Sequence, residues 1–113
     1  MSHRRWYWIS TNEIDKIVRI YFPVSTYEII DAFFQMTPVG ALREILRVLE
    51  SGRKVYHTYP GDYLELDIFY GKITFIIDCC GHRWEERFYI DSMTELFSDY
   101  LEAFDSMMAE CSR

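Results

Sequence analysis

The amino-acid sequence predicts a single α+β domain spanning residues 1–113, on three observations. Residues 10–52 combine helix-capping signals with apolar positions at helical spacing. Residues 54–91 change to a period of two, with glycine turns between short apolar segments. Residues 93–109 return to helical spacing. We therefore expect N-terminal helices, a three- to four-stranded antiparallel β-meander, and a C-terminal amphipathic helix packed on the sheet.

The first predicted helix begins at Ser10, which stands three residues before Glu13 as in a capping box. Apolar residues follow at helical spacing, namely Ile14, Ile17, Val18 and Tyr21. The β-branched residues of the same stretch also fit a strand. Residues 12–22 can therefore be either helix or strand.

Two further helices are predicted before residue 52. A second capping box, completed by Glu28, opens a short helix. Thr37 is then the expected N-cap of the next helix, with Pro38 at its first position. Gly52 is the expected C-cap. The apolar stripe of this helix consists of Leu42, Ile45, Leu46 and Leu49.

An antiparallel meander is predicted for residues 54–91. Glu65 and Asp67 alternate with leucines, so both carboxylates should point away from the core. The predicted strands are 55–59, 63–70, 73–79 and 84–90, and the predicted turns are 60–62, 71–72 and 81–82.

The last predicted helix, 93–109, lies within the stretch DSMTELFSDYLEAFDSMMAE at 91–110, which contains six carboxylates and no Lys or Arg. At about 100° per residue, its apolar side chains fall within an arc of about 140°. All the acids fall on the other side of the helix, namely Asp91, Glu95, Asp99, Glu102, Asp105 and Glu110. The helix therefore has one core face and one carboxylate face.

The acidic excess belongs entirely to the second half of the chain. The net charge is −6 overall, but residues 1–60 hold eight Lys/Arg against six Asp/Glu, whereas residues 61–113 hold four against twelve. Phosphate binding needs a basic surface, so nucleic acid is not the expected partner. A surface that carries only negative charge produces a negative electrostatic potential. Such a potential speeds the association of a basic protein and orients it as it binds.

No complete catalytic or cofactor motif is present, so we expect neither enzymatic activity nor a cofactor. The stretch CCGH at 79–82 lacks the paired ligand spacing of a zinc site, and we expect no metal there. The roles of Cys79, Cys80 and His82 stay open. An odd cysteine count and the lack of an apolar leader or membrane span favour a cytoplasmic protein.

A small, acidic, Tyr-rich α+β domain without catalytic motifs resembles the immunity proteins of bacterial toxin systems, such as contact-dependent growth inhibition. The resemblance concerns size, charge and layout. It implies a cytoplasmic bacterial protein, monomeric when free, that occludes the active site of a cognate basic toxin domain, often a nuclease. The expected partner-binding residues are Glu95, Asp99, Glu102, Asp105, Glu65, Asp67, Tyr63 and Tyr89.

The carboxylate face can also be an ordinary solvated surface, with some acids paired to Arg43, Arg47, Arg83 or Arg87. The same acidity fits a phage-type inhibitor that mimics nucleic acid. A small-molecule-binding domain without catalytic activity and an oligomeric structural subunit are two further alternatives.

Overall fold

The computed structural model describes residues 6–112 and confirms the predicted α+β fold. A two-stranded antiparallel sheet precedes two helices, a four-stranded antiparallel meander and a final helix. The elements are β1 (Trp8–Asn12), β2 (Ile17–Tyr21), α1 (Glu28–Met36), α2 (Val39–Glu50), β3 (Val55–Gly61), β4 (Leu64–Phe69), β5 (Lys72–Cys79), β6 (His82–Tyr89) and α3 (Met93–Cys111).

The sequence leaves helix and strand both open for residues 12–22, and the structure has the strand: this segment forms the β1–β2 hairpin, and the helix beginning at Ser10 does not form. Val18 and Ile20 are buried while the residues between and beside them are exposed, so burial follows a period of two. The turn is closed by Asn12, whose side-chain oxygen accepts a hydrogen bond of 3.0 Å from the backbone N–H of Asp15. The helical part of the chain therefore begins with the short 3₁₀ turn before α1, and the predicted range 10–52 is too long.

The boundary between α1 and α2 differs in detail from the prediction. The Thr37 hydroxyl donates to the Phe33 carbonyl at 2.5 Å, so it satisfies the end of α1 rather than capping α2. Pro38 is the N-cap of α2. Gly52 lies just beyond α2 with φ +71°, a conformation that glycine adopts without the strain of a Cβ.

The meander is confirmed. Its last two hairpins turn one residue earlier than predicted, whereas the first turns at residues 62–63, later than the predicted 60–62. Tyr70 and Gly71 both have positive φ between β4 and β5, and Cys80 and Gly81 do so between β5 and β6. Two successive residues with positive φ are typical of the type I′ turn, whose twist suits a two-residue hairpin. Lys72 and His82 are consequently the first residues of strands.

One face of the four-stranded sheet contributes to the hydrophobic core. It is covered by α1, where the rings of Phe33 and Phe75 meet edge to face at 5.1 Å. The buried sheet residues on this face are Leu64, Leu66, Ile68, Ile73, Phe75 and Ile77. The opposite face carries Glu65 and Asp67, as predicted from their alternation with leucine, and is not covered by a helix of the described residues.

The last helix, α3, packs against the β1–β2 sheet and α2 through its apolar face. Phe97 and Tyr100 contact the Phe34 ring of α1 at 4.6 and 4.7 Å between centroids. Ser92 precedes the helix, but its side chain makes no capping hydrogen bond. No helix among residues 6–112 has the length and apolar character needed to cross a lipid bilayer.

A buried carboxylate joins the β1–β2 hairpin to α1. Asp31 is 4% exposed, and its oxygens accept hydrogen bonds from the Arg19 Nε and the backbone N–H of Ile20, both at 2.8 Å. Gln35 adds a hydrogen bond of 3.2 Å to the same carboxylate and one to the Val18 carbonyl. The carboxylate raises the pKa of Arg19 through hydrogen bonding and charge attraction.

Replacing Asp31 with Asn should lower the free energy of unfolding by about 2–3 kcal/mol, because hydrogen bonds to a charged group are lost in a buried site. Urea unfolding measures this change. Arg47→Ala is the control, since Arg47 pairs with Glu44 on the surface of one helix. It should cost less than about 0.5 kcal/mol. Equal losses in the two variants would show that Asp31 does not hold the hairpin.

Candidate binding surfaces

The eight predicted partner-binding residues form two separate surfaces. We call Glu95, Asp99, Glu102 and Asp105 the acidic helix face, because all four lie along α3. Glu65, Asp67, Tyr63 and Tyr89 lie on or beside the uncovered face of the meander, which we call the open sheet face. Since α1 packs between the meander and α3, the two surfaces do not join into one interface.

On the acidic helix face, Asp99 serves the fold. The hydroxyl of Tyr7 donates to its carboxylate at 2.5 Å, and Tyr7 itself is 1% exposed. A buried phenol needs a hydrogen-bond partner, which Asp99 supplies. Asp99 therefore ties the N-terminal segment to α3.

Asp105 is also engaged within the chain. Arg43 of α2 donates two hydrogen bonds to its carboxylate, at 2.6 and 3.1 Å. This bidentate pair lowers the pKa of Asp105, chiefly through the hydrogen bond and despite some burial. The expected pairing of the acidic face with Arg43 is thus confirmed, whereas Arg47 pairs with Glu44.

Glu95 and Glu102 remain as exposed carboxylates without a basic neighbour. Among residues 6–112, no Lys or Arg lies within ion-pair distance of either side chain. Neither is needed to satisfy a buried group. They are the part of the acidic helix face for which packing and internal pairing give no reason.

An exposed aromatic pair, of which Trp8 lies next to Glu102, was missed from the sequence. Trp8 is 55% exposed and stacks on Tyr21 at 5.9 Å between ring centroids. Trp8 also shares a concavity of 410 Å³ with Asp99 and Glu102. The hairpin register places Trp8 opposite Tyr21, so a correct strand prediction for this segment would have revealed the pair.

The open sheet face has a different character, because basic side chains lie among its acids. His57 lies directly opposite Asp67 and faces Glu65 as well. A concavity of 530 Å³ beside His57 and Asp67 is also lined by Lys72 and Arg87. Sequence reasoning missed His57, whose place beside the two predicted acids depends on the β3–β4 register.

The two predicted tyrosines are exposed near the ends of this sheet. Tyr63 lies in the turn between β3 and β4, and Tyr89 ends β6. The ammonium of Lys72 lies 5.6 Å from the centre of the Tyr89 ring, a cation–π contact. Tyr89 also lines a concavity with Ser92 and Met93, at the start of α3.

Comparisons of the chain with family models, with curated proteins and with solved structures found no significant match. Function is therefore inferred from the chemistry of the two surfaces themselves.

A double-mutant cycle with Arg43→Gln and Asp105→Asn should give a coupling of about 0.2–1 kcal/mol at neutral pH, as expected of an exposed pair. The folded state lowers the pKa of Asp105, so this stability is present above the ordinary carboxyl pKa of 3.8 and is lost as the pH falls through the lowered value. Urea unfolding at neutral and strongly acidic pH measures it. A coupling unchanged by acid would contradict the assignment.

Proposed function

We propose that this protein is an immunity-type inhibitor that binds a basic toxin domain through its acidic helix face and blocks the toxin's active site. The observation that supports this proposal best is the pair Glu95 and Glu102, which are exposed and have no basic neighbour in the described chain. Lysines or arginines of a partner would supply the missing counter-charges.

The acidic helix face destabilises its own helix, and this also supports a function other than stabilising the fold. Glu95 and Asp99 are four residues apart on α3, a spacing at which like charges destabilise a helix by roughly 0.2–0.5 kcal/mol. Solubility does not require all the charges of a helix face to have one sign, since surfaces with both signs interspersed are soluble too. Rapid capture of a cationic partner benefits from it.

The exposed pair Trp8 and Tyr21 supplies the apolar contact that such an interface needs. Interfaces derive most of their affinity from a few aromatic and arginine residues surrounded by weaker polar contacts. Trp8 adjoins Glu102 in one concavity, so an aromatic anchor and an acid can meet the same partner surface. In this proposal Trp8 takes the role that the sequence assigned to Tyr63 and Tyr89.

Occlusion of the toxin's active site requires no catalytic group, cofactor or membrane contact on this protein. Glu65 and Asp67 lie on the open sheet face and are not part of the proposed interface. An open reading frame for a basic toxin domain immediately upstream of this gene is the expected source of the partner.

The variant Glu95→Lys/Glu102→Lys should bind that toxin domain about 10- to 100-fold more weakly, mainly through slower association, and with a smaller dependence on salt. Titration calorimetry and stopped-flow association measure these effects. The variant should stay folded, because neither carboxylate holds a buried partner. Trp8→Ala should weaken binding through faster dissociation instead.

The matched control is Glu28→Lys/Glu50→Lys, which changes the net charge equally at two exposed positions on α1 and α2. If both double variants lose the same affinity, only net charge matters and the proposed interface is wrong. If wild-type protein instead blocks a nucleic-acid-binding host enzyme in competition with DNA or RNA, nucleic-acid mimicry replaces the immunity proposal.

A further inference from the structure

We propose that His57, Glu65 and Asp67 bind a divalent transition-metal ion, most favourably Zn²⁺, on the open sheet face. The proposal is independent of the acidic helix face, because these three residues belong to β3 and β4. One donor atom from each residue can be chosen so that all three lie within 4.8 Å of one another.

The strand register brings the three donors together. His57 and Asp67 are directly opposite in the β3–β4 ladder, and the His57 Nδ1 contacts the Asp67 Oδ1. Glu65 precedes Asp67 by two residues and so shares its face of the sheet, with its Oε1 3.8 Å from the His57 Nε2. Donors on paired strands are held more precisely than donors on loops.

The donor set fits Zn²⁺ in type and charge. Neutral imidazole nitrogen and carboxylate oxygen are ordinary zinc ligands, at about 2.0–2.2 Å. Two carboxylates balance the charge of the ion. Donor atoms around a tetrahedral ion are about 3.3 Å apart. Asp67 faces the Nδ1 and Glu65 the Nε2 of His57, so in the proposed site the side chains turn until one imidazole nitrogen and both carboxylates point at the ion.

The surroundings leave the ion accessible and one coordination position open. All three side chains are partly exposed, so an ion can enter from solvent. The Tyr59 ring meets the imidazole edge to face at 4.4 Å and restricts its orientation. Three protein ligands leave a fourth position, which water or an anion in the adjoining concavity beside Lys72 and Arg87 would occupy.

Zinc chloride added to the purified, metal-free protein should bind at one equivalent and raise its melting temperature. Calorimetry should show that His57→Ala and Asp67→Asn each weaken the affinity at least 10-fold, since each removes one of three ligands. The visible spectrum of the Co²⁺ complex should indicate nitrogen and oxygen ligands, without thiolate charge transfer.

The controls are His82→Ala and Cys79→Ser/Cys80→Ser, which remove the other histidine and the cysteines of the meander. Both should bind zinc as the wild type does. The proposal is overturned if zinc does not bind, or if binding is lost in these controls and kept in His57→Ala. An unchanged circular dichroism spectrum and melting temperature of metal-free His57→Ala would exclude misfolding as the cause of its weaker binding.

Discussion

The arrangement of this domain depends on one buried carboxylate. Asp31 of α1 accepts hydrogen bonds from the side chain of Arg19 and the backbone of Ile20, and so fixes the β1–β2 hairpin on the helix. A two-stranded hairpin is marginal alone, because it cannot bury both its apolar face and its own edges. The hairpin is also the sheet on which α3 packs, so the position of the acidic helix face follows from this interaction.

The same interaction explains why the hairpin could not be predicted. Residues 14–21 satisfy both a helical and a strand pattern, and local spacing does not choose between them. Ile14 would lie on the core face of the predicted helix, yet it is 92% exposed in the hairpin turn. The choice is made by Asp31, which lies eleven residues beyond Ile20 and holds an extended backbone there. Hydrogen bonds between distant parts of the chain thus outweigh the helical spacing of the apolar residues.

The meander and α3 could be predicted because their signals are local. Turns that contain glycine and a regular spacing of apolar residues predict such elements from short stretches of sequence. The candidate site was predicted only in part. The sequence shows which side chains are acidic, but it does not show which of them are paired with a donor elsewhere in the chain. Asp99 is paired with Tyr7 across 92 positions and Asp105 with Arg43 across 62, which no pattern reveals. His57 joins Glu65 and Asp67 through strand register in the same way.

The acids that stabilise the fold differ from the remaining acids in having a hydrogen-bond or ion-pair partner within the chain. Asp31, Asp99 and Asp105 each meet a donor within the chain, whereas Glu95 and Glu102 meet none among residues 6–112. A divalent ion at His57 would neutralise both carboxylates of the open sheet face. Glu95 and Glu102 would remain on α3 without a counter-charge among residues 6–112, and Trp8 lies beside Glu102. A basic partner that approaches α3 would meet these acids and the Trp8 ring together, because electrostatic steering responds to the local potential as well as to the net charge of the molecule.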